Sequence, residues 1–199
     1  MQRAFEREVT LFRRQGGGLR MSDALRLGIN RKTLYTMRDT GVIQRVTRGL
    51  YRLASLKPLA HPDLVTVALR VPQGVLCLCS ALSFHRLTTQ VPPAVEVALE
   101  RGTRKPRLEP LAHFYWFSGP AFYEGIETHR LDGVAVRVYG PEKTLVDCFR
   151  YRNQLGMDVV LEALHLWREC RRKKVDALLK YAHMRHVEPA LRLYLEAMP

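Results

Sequence analysis

No stretch of the chain approaches the roughly 20 apolar residues that a membrane-spanning helix needs, so no membrane partner is expected. The first residues, Met1-Gln2-Arg3-Ala4-Phe5-Glu6-Arg7-Glu8, are too charged for the apolar core of a signal peptide, which points to a cytoplasmic protein. The 4 cysteines, Cys77, Cys79, Cys148 and Cys170, never stand at CxxC spacing, which argues against structural zinc and for buried thiols. In Val75-Leu76-Cys77-Leu78-Cys79 the two thiols are expected on one face of a buried strand over 75–79. Gly16-Gly17-Gly18 runs on into Leu19-Arg20-Met21 with no Gly-Lys-Ser/Thr, so it breaks a helix and does not cradle phosphate. There are 7 histidines but no HExxH. His183 and His186 ahead of Glu188 come nearest to a ligand set and lack a third ligand and a base, so neither a metal nor a cofactor is expected. Internal repeats and low-complexity tracts are missing too.

Negative charge is also scarce. There are 19 Asp and Glu against 32 Lys and Arg, a net charge of +13 with pI ≈ 10.1, a surplus that favours polyanionic partners. Residues 1–57 hold 13 of the basic residues against 4 acidic ones, so the excess sits in the first third. With 199 residues, 47% of them hydrophobic, the chain can bury a real core, and two domains fit its length.

The expected fold class is α+β. Phe5, Val9, Leu11 and Phe12 give residues 3–14 an amphipathic stripe that stops at the triple glycine. Ser22 is placed to cap a short helix through Leu27, closed by Gly28. After Ile29, Asn30 can cap a second helix, Arg31 to Thr40, which Gly41 ends. Two short helices across a Gly-Ile-Asn turn are a helix-turn-helix pattern. Val42-Ile43-Gln44-Arg45-Val46 and Leu50-Tyr51-Arg52-Leu53, separated by Thr47-Arg48-Gly49, read as a hairpin and complete a winged helix-turn-helix over 1–57.

Residues 54–62, with Pro58 and Pro62, read as a linker into a second domain at 58–199, mixed α/β over 58–139 and helical over 140–199. There the pattern predicts a helix over 63–71 and another, capped by Ser80, that ends near Leu87. Val95, Val97 and Leu99 alternate with Glu96, Ala98 and Glu100, which predicts a strand with one solvated face. Further strands are expected over 111–117, 126–131 and 134–139, with Phe114-Tyr115-Trp116-Phe117 packing into the core. Helices follow from Pro141 and near 157–171, 174–184 and 188–197. The basic run Arg171-Arg172-Lys173-Lys174 falls where one of these ends and the next begins.

On the helix after Asn30, Leu34 and Met37 mark the side that packs inward. At 100° per residue the other side carries Lys32, Tyr35 and Thr36, with Arg31 and Arg38 on a flank and Thr33 in the same first turns. Such a helix can read base edges in the major groove, where Arg and Lys address guanine and a Thr methyl addresses thymine. Arg45, Thr47, Arg48 and Arg52 surround the hairpin and can reach flanking phosphates. The expected partner is therefore double-stranded DNA.

The run Gly28-Ile29-Asn30-Arg31-Lys32-Thr33-Leu34-Tyr35, then Gly41-Val42-Ile43-Gln44-Arg45-Val46-Thr47-Arg48-Gly49-Leu50-Tyr51, resembles the AbiEi family of antitoxins. So does Gly140-Pro141-Glu142-Lys143-Thr144-Leu145-Val146-Asp147-Cys148-Phe149-Arg150-Tyr151-Arg152, preceded by Ser80-Ala81-Leu82 and Leu87-Thr88. The resemblance implies a regulator of a type IV toxin-antitoxin system that represses its own operon at inverted repeats. It also implies a C-terminal domain that neutralises a nucleotidyltransferase-like toxin without a stable complex; separately, no enzymatic activity is expected of the chain. Taken alone, the Pro141 block reads structurally: Glu142 complements the helix dipole, Lys143 and Asp147 pair at i, i+4, and Leu145, Cys148 and Phe149 pack inward. The rival readings are a nuclease-like enzyme targeted by a winged helix, for which no acid, base or metal constellation stands out, and a transcription factor without a toxin.

Overall fold

The computed structural model describes residues 5–57, 59–132 and 134–197. The expected helix start at Arg3 and the linker residue Pro58 lie outside the described residues. The chain is mixed α+β and forms two compact units, Met1–Pro72 with Arg130–Val136, and Gln73–His129 with Arg137–Pro199. Residues 58–72, which the sequence pattern assigns to the second domain, group with the first unit.

In the first unit the order is α1 (Glu6–Arg14), β1 (Gly18–Arg20), α2 (Met21–Arg26), α3 (Arg31–Asp39), β2 (Ile43–Thr47), β3 (Leu50–Leu53) and α4 (Pro62–Arg70). The strands form an antiparallel sheet in the order β1-β3-β2, with Leu19 opposite Tyr51 and Ile43 opposite Leu53. Three residues next to a glycine run offer no alternation to read, which is why β1 has no signal in the pattern. Phe12, Leu19, Ala24, Ile29, Leu34, Met37, Ile43, Tyr51 and Leu53 make the core.

The caps explain the short helices. Ser22 does not cap α2, which starts at Met21 with no side-chain cap; instead the Met21 amide donates to the Gly49 carbonyl at 2.8 Å. A long-range backbone bond thus satisfies one of the orphan donors that a capping side chain would otherwise take. At the other end Ile29 N–H bonds Ala24 O at 2.9 Å and Gly28 N–H bonds Leu25 O at 3.0 Å, the paired bonds of a Schellman ending. Gly28 supplies the left-handed residue, φ +82°, that this ending requires. Asn30 then caps α3, its Oδ1 accepting the Thr33 amide at 2.8 Å.

The second unit is built on a five-stranded sheet in the order β6-β5-β4-β8-β7. Its elements are β4 (Val75–Leu76), α5 (Leu78–Phe84), β5 (Val95–Glu100), β6 (Ala112–Phe117), α6 (Pro120–Tyr123), β7 (Ile126–Leu131) and β8 (Val134–Tyr139). The residues of β7 and β8 within 130–136 are grouped with the first unit. Helices α7 (Pro141–Arg150), α8 (Arg152–Leu155), α9 (Met157–Glu169), α10 (Val175–Met184) and α11 (Glu188–Ala197) complete the chain. Strands β5 and β6 are parallel, as are β4 and β8, while β4 and β5 are antiparallel. Among the described residues no helix is long and apolar enough to cross a membrane.

Four expectations are corrected in this unit. The 75–79 strand stops at Leu76, and Cys77 and Cys79 fall at the start of α5, so they do not share a strand face. Ser80 lies inside α5, where its amide donates to Glu96 Oε2 at 3.2 Å and its hydroxyl accepts the Glu96 amide at 2.9 Å. That exchange, with the Tyr115 hydroxyl donating to Glu96 Oε1 at 3.2 Å, buries the face of β5 that alternation had assigned to solvent; only Glu100 is exposed. Cys170 is an exposed thiol, unlike Cys77, Cys79 and Cys148.

The expected Lys143–Asp147 pair forms, but not at the surface. Both side chains are wholly buried, and Arg185, at the end of α10, brings its Nε within 2.8 Å of Asp147 Oδ1. Lys143 Nζ also lies 4.3 Å from the Tyr139 ring centre and 5.2 Å from that of Phe117. Burial pushes the Lys143 ammonium below its ordinary pKa, and Asp147 opposes the shift. Asp147 therefore anchors α7 and α10 through charge.

Candidate nucleic-acid interface

Helix α3 carries the first part of the candidate site. Leu34 and Met37 are fully buried in the core, each worth about 1.5–3 kcal/mol of apolar burial, and they fix which side of the helix faces out. Arg31, Lys32, Tyr35 and Thr36 are all exposed, with Thr33 and Arg38 half-buried beside them. A tyrosine at 40% exposure on a charged helix is a large apolar ring held in water, available to a partner. Arg38 lies 5.1 Å from its ring centre and is itself engaged by Asp39, with Nε 2.8 Å from Oδ1. That contact raises the Arg38 pKa, so the guanidinium stays charged, but it leaves Arg38 less free than Arg31 or Lys32. Thr36 spends its hydroxyl proton on the Lys32 carbonyl at 2.9 Å, which leaves its methyl and an oxygen lone pair for a partner.

The β2–β3 hairpin carries the second part. Gly49, at φ +77°, makes the tight turn, and a bulge between Arg45 and Thr47 breaks the alternation of β2. Gln44 and Arg45 on the edge strand β2 are both exposed, Arg48 is exposed at the turn, and Thr47 is half-buried. Arg45 Nε donates to the Thr47 carbonyl at 3.3 Å, holding its guanidinium along the strand. The pattern singled out Arg45 and passed over Gln44, whose signal was its place next to the inward Ile43.

Arg52 does not belong to this surface. It is 6% exposed, and its guanidinium donates to the Lys57 carbonyl, so it braces the chain that leaves β3. Period-2 alternation from Leu53 would turn Arg52 outward, but β3 is central in its sheet and is buried along its whole length.

The other candidates lie in the second unit. His183 Nδ1 lies 3.1 Å from Glu188 Oε2, and among the described residues no cluster of three or more His, Cys, Asp or Glu could hold a metal. Arg171 to Lys174 are exposed in the segment between α9 and α10, where Lys173 Nζ donates to the Arg168 carbonyl at 2.6 Å, as the carbonyl end of α9 favours.

Residues 6–54, which include α3 and the hairpin, match the family described as transcriptional regulator, AbiEi antitoxin. The match covers α1 to β3 and leaves the Pro141 block outside it. No curated protein matches the chain. A crystal structure of the RV2827C protein from Mycobacterium tuberculosis is similar in fold, with a TM-score of 0.57 and 16% sequence identity, over 90% of this chain and 71% of that one.

Proposed function

We propose that the chain is a DNA-binding transcriptional repressor whose first unit is a winged helix-turn-helix, with α3 in the major groove and the β2–β3 hairpin as the wing. The order helix, strand, helix, helix, hairpin with a β1-β3-β2 sheet supports that assignment. The observation that carries it is the single exposed face of α3, Arg31, Lys32, Tyr35 and Thr36, within a segment that matches a family of transcriptional regulators. In this reading those four side chains address base edges, with Thr33 and Arg38 flanking them, while Arg45, Thr47 and Arg48 meet the adjoining phosphates. The family match also supports an antitoxin role. The chain would act in the cytoplasm, bind inverted repeats in its own promoter and counter a nucleotidyltransferase-like toxin encoded beside it.

Fluorescence anisotropy on a duplex from the region upstream of the gene, across a salt series, tests the docking. Arg48→Ala is expected to weaken binding to all sequences alike and to lower the salt slope by about 1, whereas Lys32→Ala costs about tenfold or more and relaxes preference at one base position. Unchanged binding in both variants overturns the docking. Antitoxicity is read separately, as rescue of growth when the neighbouring gene is expressed.

A further inference from the structure

In the second unit a cleft of about 370 Å³ opens where β5 and β6 end and where α7 and α10 finish their last turns. Arg101 follows β5, Trp116 and Phe117 close β6, Arg150 and Tyr151 end α7, and Arg185 ends α10. Among the described residues, no Asp or Glu lines it. Arg101 and Arg150 are exposed, and neither guanidinium has a hydrogen bond or an ion pair among the described residues.

The floor of the cleft carries charge as well. Arg185, 15% exposed, sits with its guanidinium carbon 4.9 Å from the Phe117 ring centre and its Nε on Asp147. Asp147 is shared between Arg185 and the buried Lys143, so the one carboxylate in the floor is already engaged from two sides. Arg185 Nε and Asp147 Oδ1 touch without hydrogen-bond geometry, so charge alone joins them. With Arg101 and Arg150 at the rim, a concave, partly desolvated site holds cations that its own carboxylate does not balance, the arrangement that draws in an anion.

The walls narrow the class of anion. Guanidinium forks match phosphate oxygens in pairs. Trp116 is 37% exposed although it stands on a sheet strand, and its Nε1–H donates to the Thr103 carbonyl at 2.9 Å, so the indole is held in place. Tyr151 is fixed in turn by stacking on Phe117, with ring centres 6.0 Å apart at 26°. Rigid aromatic faces beside arginines suit a planar base, and the volume falls in the small-ligand range. We propose that this cleft binds a phosphorylated mononucleotide, with Arg101, Arg150 and Arg185 on the phosphates and the base against Trp116.

The test titrates the full chain with ATP, ADP and the other nucleoside triphosphates by calorimetry and tryptophan fluorescence, with inorganic pyrophosphate as the base-free probe. Trp167 is 3% exposed, so quenching reports on Trp116. Saturable binding of one nucleotide per chain is expected, weakened about tenfold or more in Arg101→Ala/Arg150→Ala, since each loses a charge-assisted bond and neither supports the fold. Trp116→Leu should remove the quenching and weaken nucleotide more than pyrophosphate, while Lys32→Ala/Arg48→Ala should bind like the parent. Three results overturn the proposal: no saturable binding of any nucleotide, pyrophosphate binding as tightly as nucleotide, or binding that is lost with the Lys32 and Arg48 pair instead of the Arg101 and Arg150 pair.

Discussion

In the first unit Arg31, Lys32, Arg45 and Arg48 remain at the surface over a core of apolar side chains, and Arg52 is the one charged residue buried there among the described residues. In the second unit Glu96, Glu142, Lys143 and Asp147 are all buried. Glu142 accepts the Trp167 indole N–H at 3.2 Å and the Lys174 amide at 3.0 Å, Glu96 holds β5 to α5, and Asp147 joins two helices. The first unit therefore leaves its charge available to a partner and takes its stability from packing. The second commits these four buried charges to its own scaffold, and its stability depends on contacts that cannot lose one member.

The comparison can be broken most directly at Asp147. Asp147→Ala leaves Lys143 and Arg185 without their carboxylate and is expected to destabilise by about 3–5 kcal/mol, read as the urea midpoint followed by tryptophan fluorescence. A loss under about 1 kcal/mol would mean that the buried charges are relieved by water and that the contrast between the units is false. Leu34→Ala asks the matching question of the first unit, where the cavity should cost about 2–5 kcal/mol, measured by hydrogen exchange of the α3 amides. Asn30→Ala removes the α3 cap and should cost about 1 kcal/mol by the same measurement, with Asn30→Asp retaining most of it.

The smallest expected effect is the pH dependence of Glu96. Burial raises its pKa above the ordinary carboxylate value, while the bonds from Ser80 and Tyr115 oppose the rise. A raised folded-state pKa means that the contribution is fully present below about 4.5 and is lost as pH rises through the folded value, because the ionised form is the one that burial penalises. Glu96→Gln should remove that slope, so the difference in urea midpoint between variant and parent should move in favour of the variant as pH rises from 4.5 to 7. A constant difference across that range would place Glu96 among solvated carboxylates.

Much of the candidate interface was legible in order of residues alone, because its signals are local. Gly28, Asn30 and Gly41 punctuate the chain within a few residues, and the three-residue step from Leu34 to Met37 orients α3 without reference to anything distant. Arg52 was misplaced because alternation says which residues share a face and not whether a sheet has a second covered face. The same limit hid the burial of Glu96. In α7, i, i+4 spacing identified Lys143 and Asp147 as partners, but their third member lies 38 positions further on, and no local rule connects Asp147 to Arg185.

The sequence by itself determined the α+β class, the caps that delimit α3, the side of that helix that faces outward and the concentration of positive charge in the first third of the chain. All of these follow from steric and hydrogen-bonding preferences that act over one or two turns. Tertiary structure alone decided that Arg52 turns inward, that a carboxylate and two cations meet under Phe117, and that Arg101, Trp116 and Arg150 come to surround one cleft. Those outcomes depend on desolvation and on long-range strand and helix pairing, which bring together residues whose order along the chain carries no record of the contact.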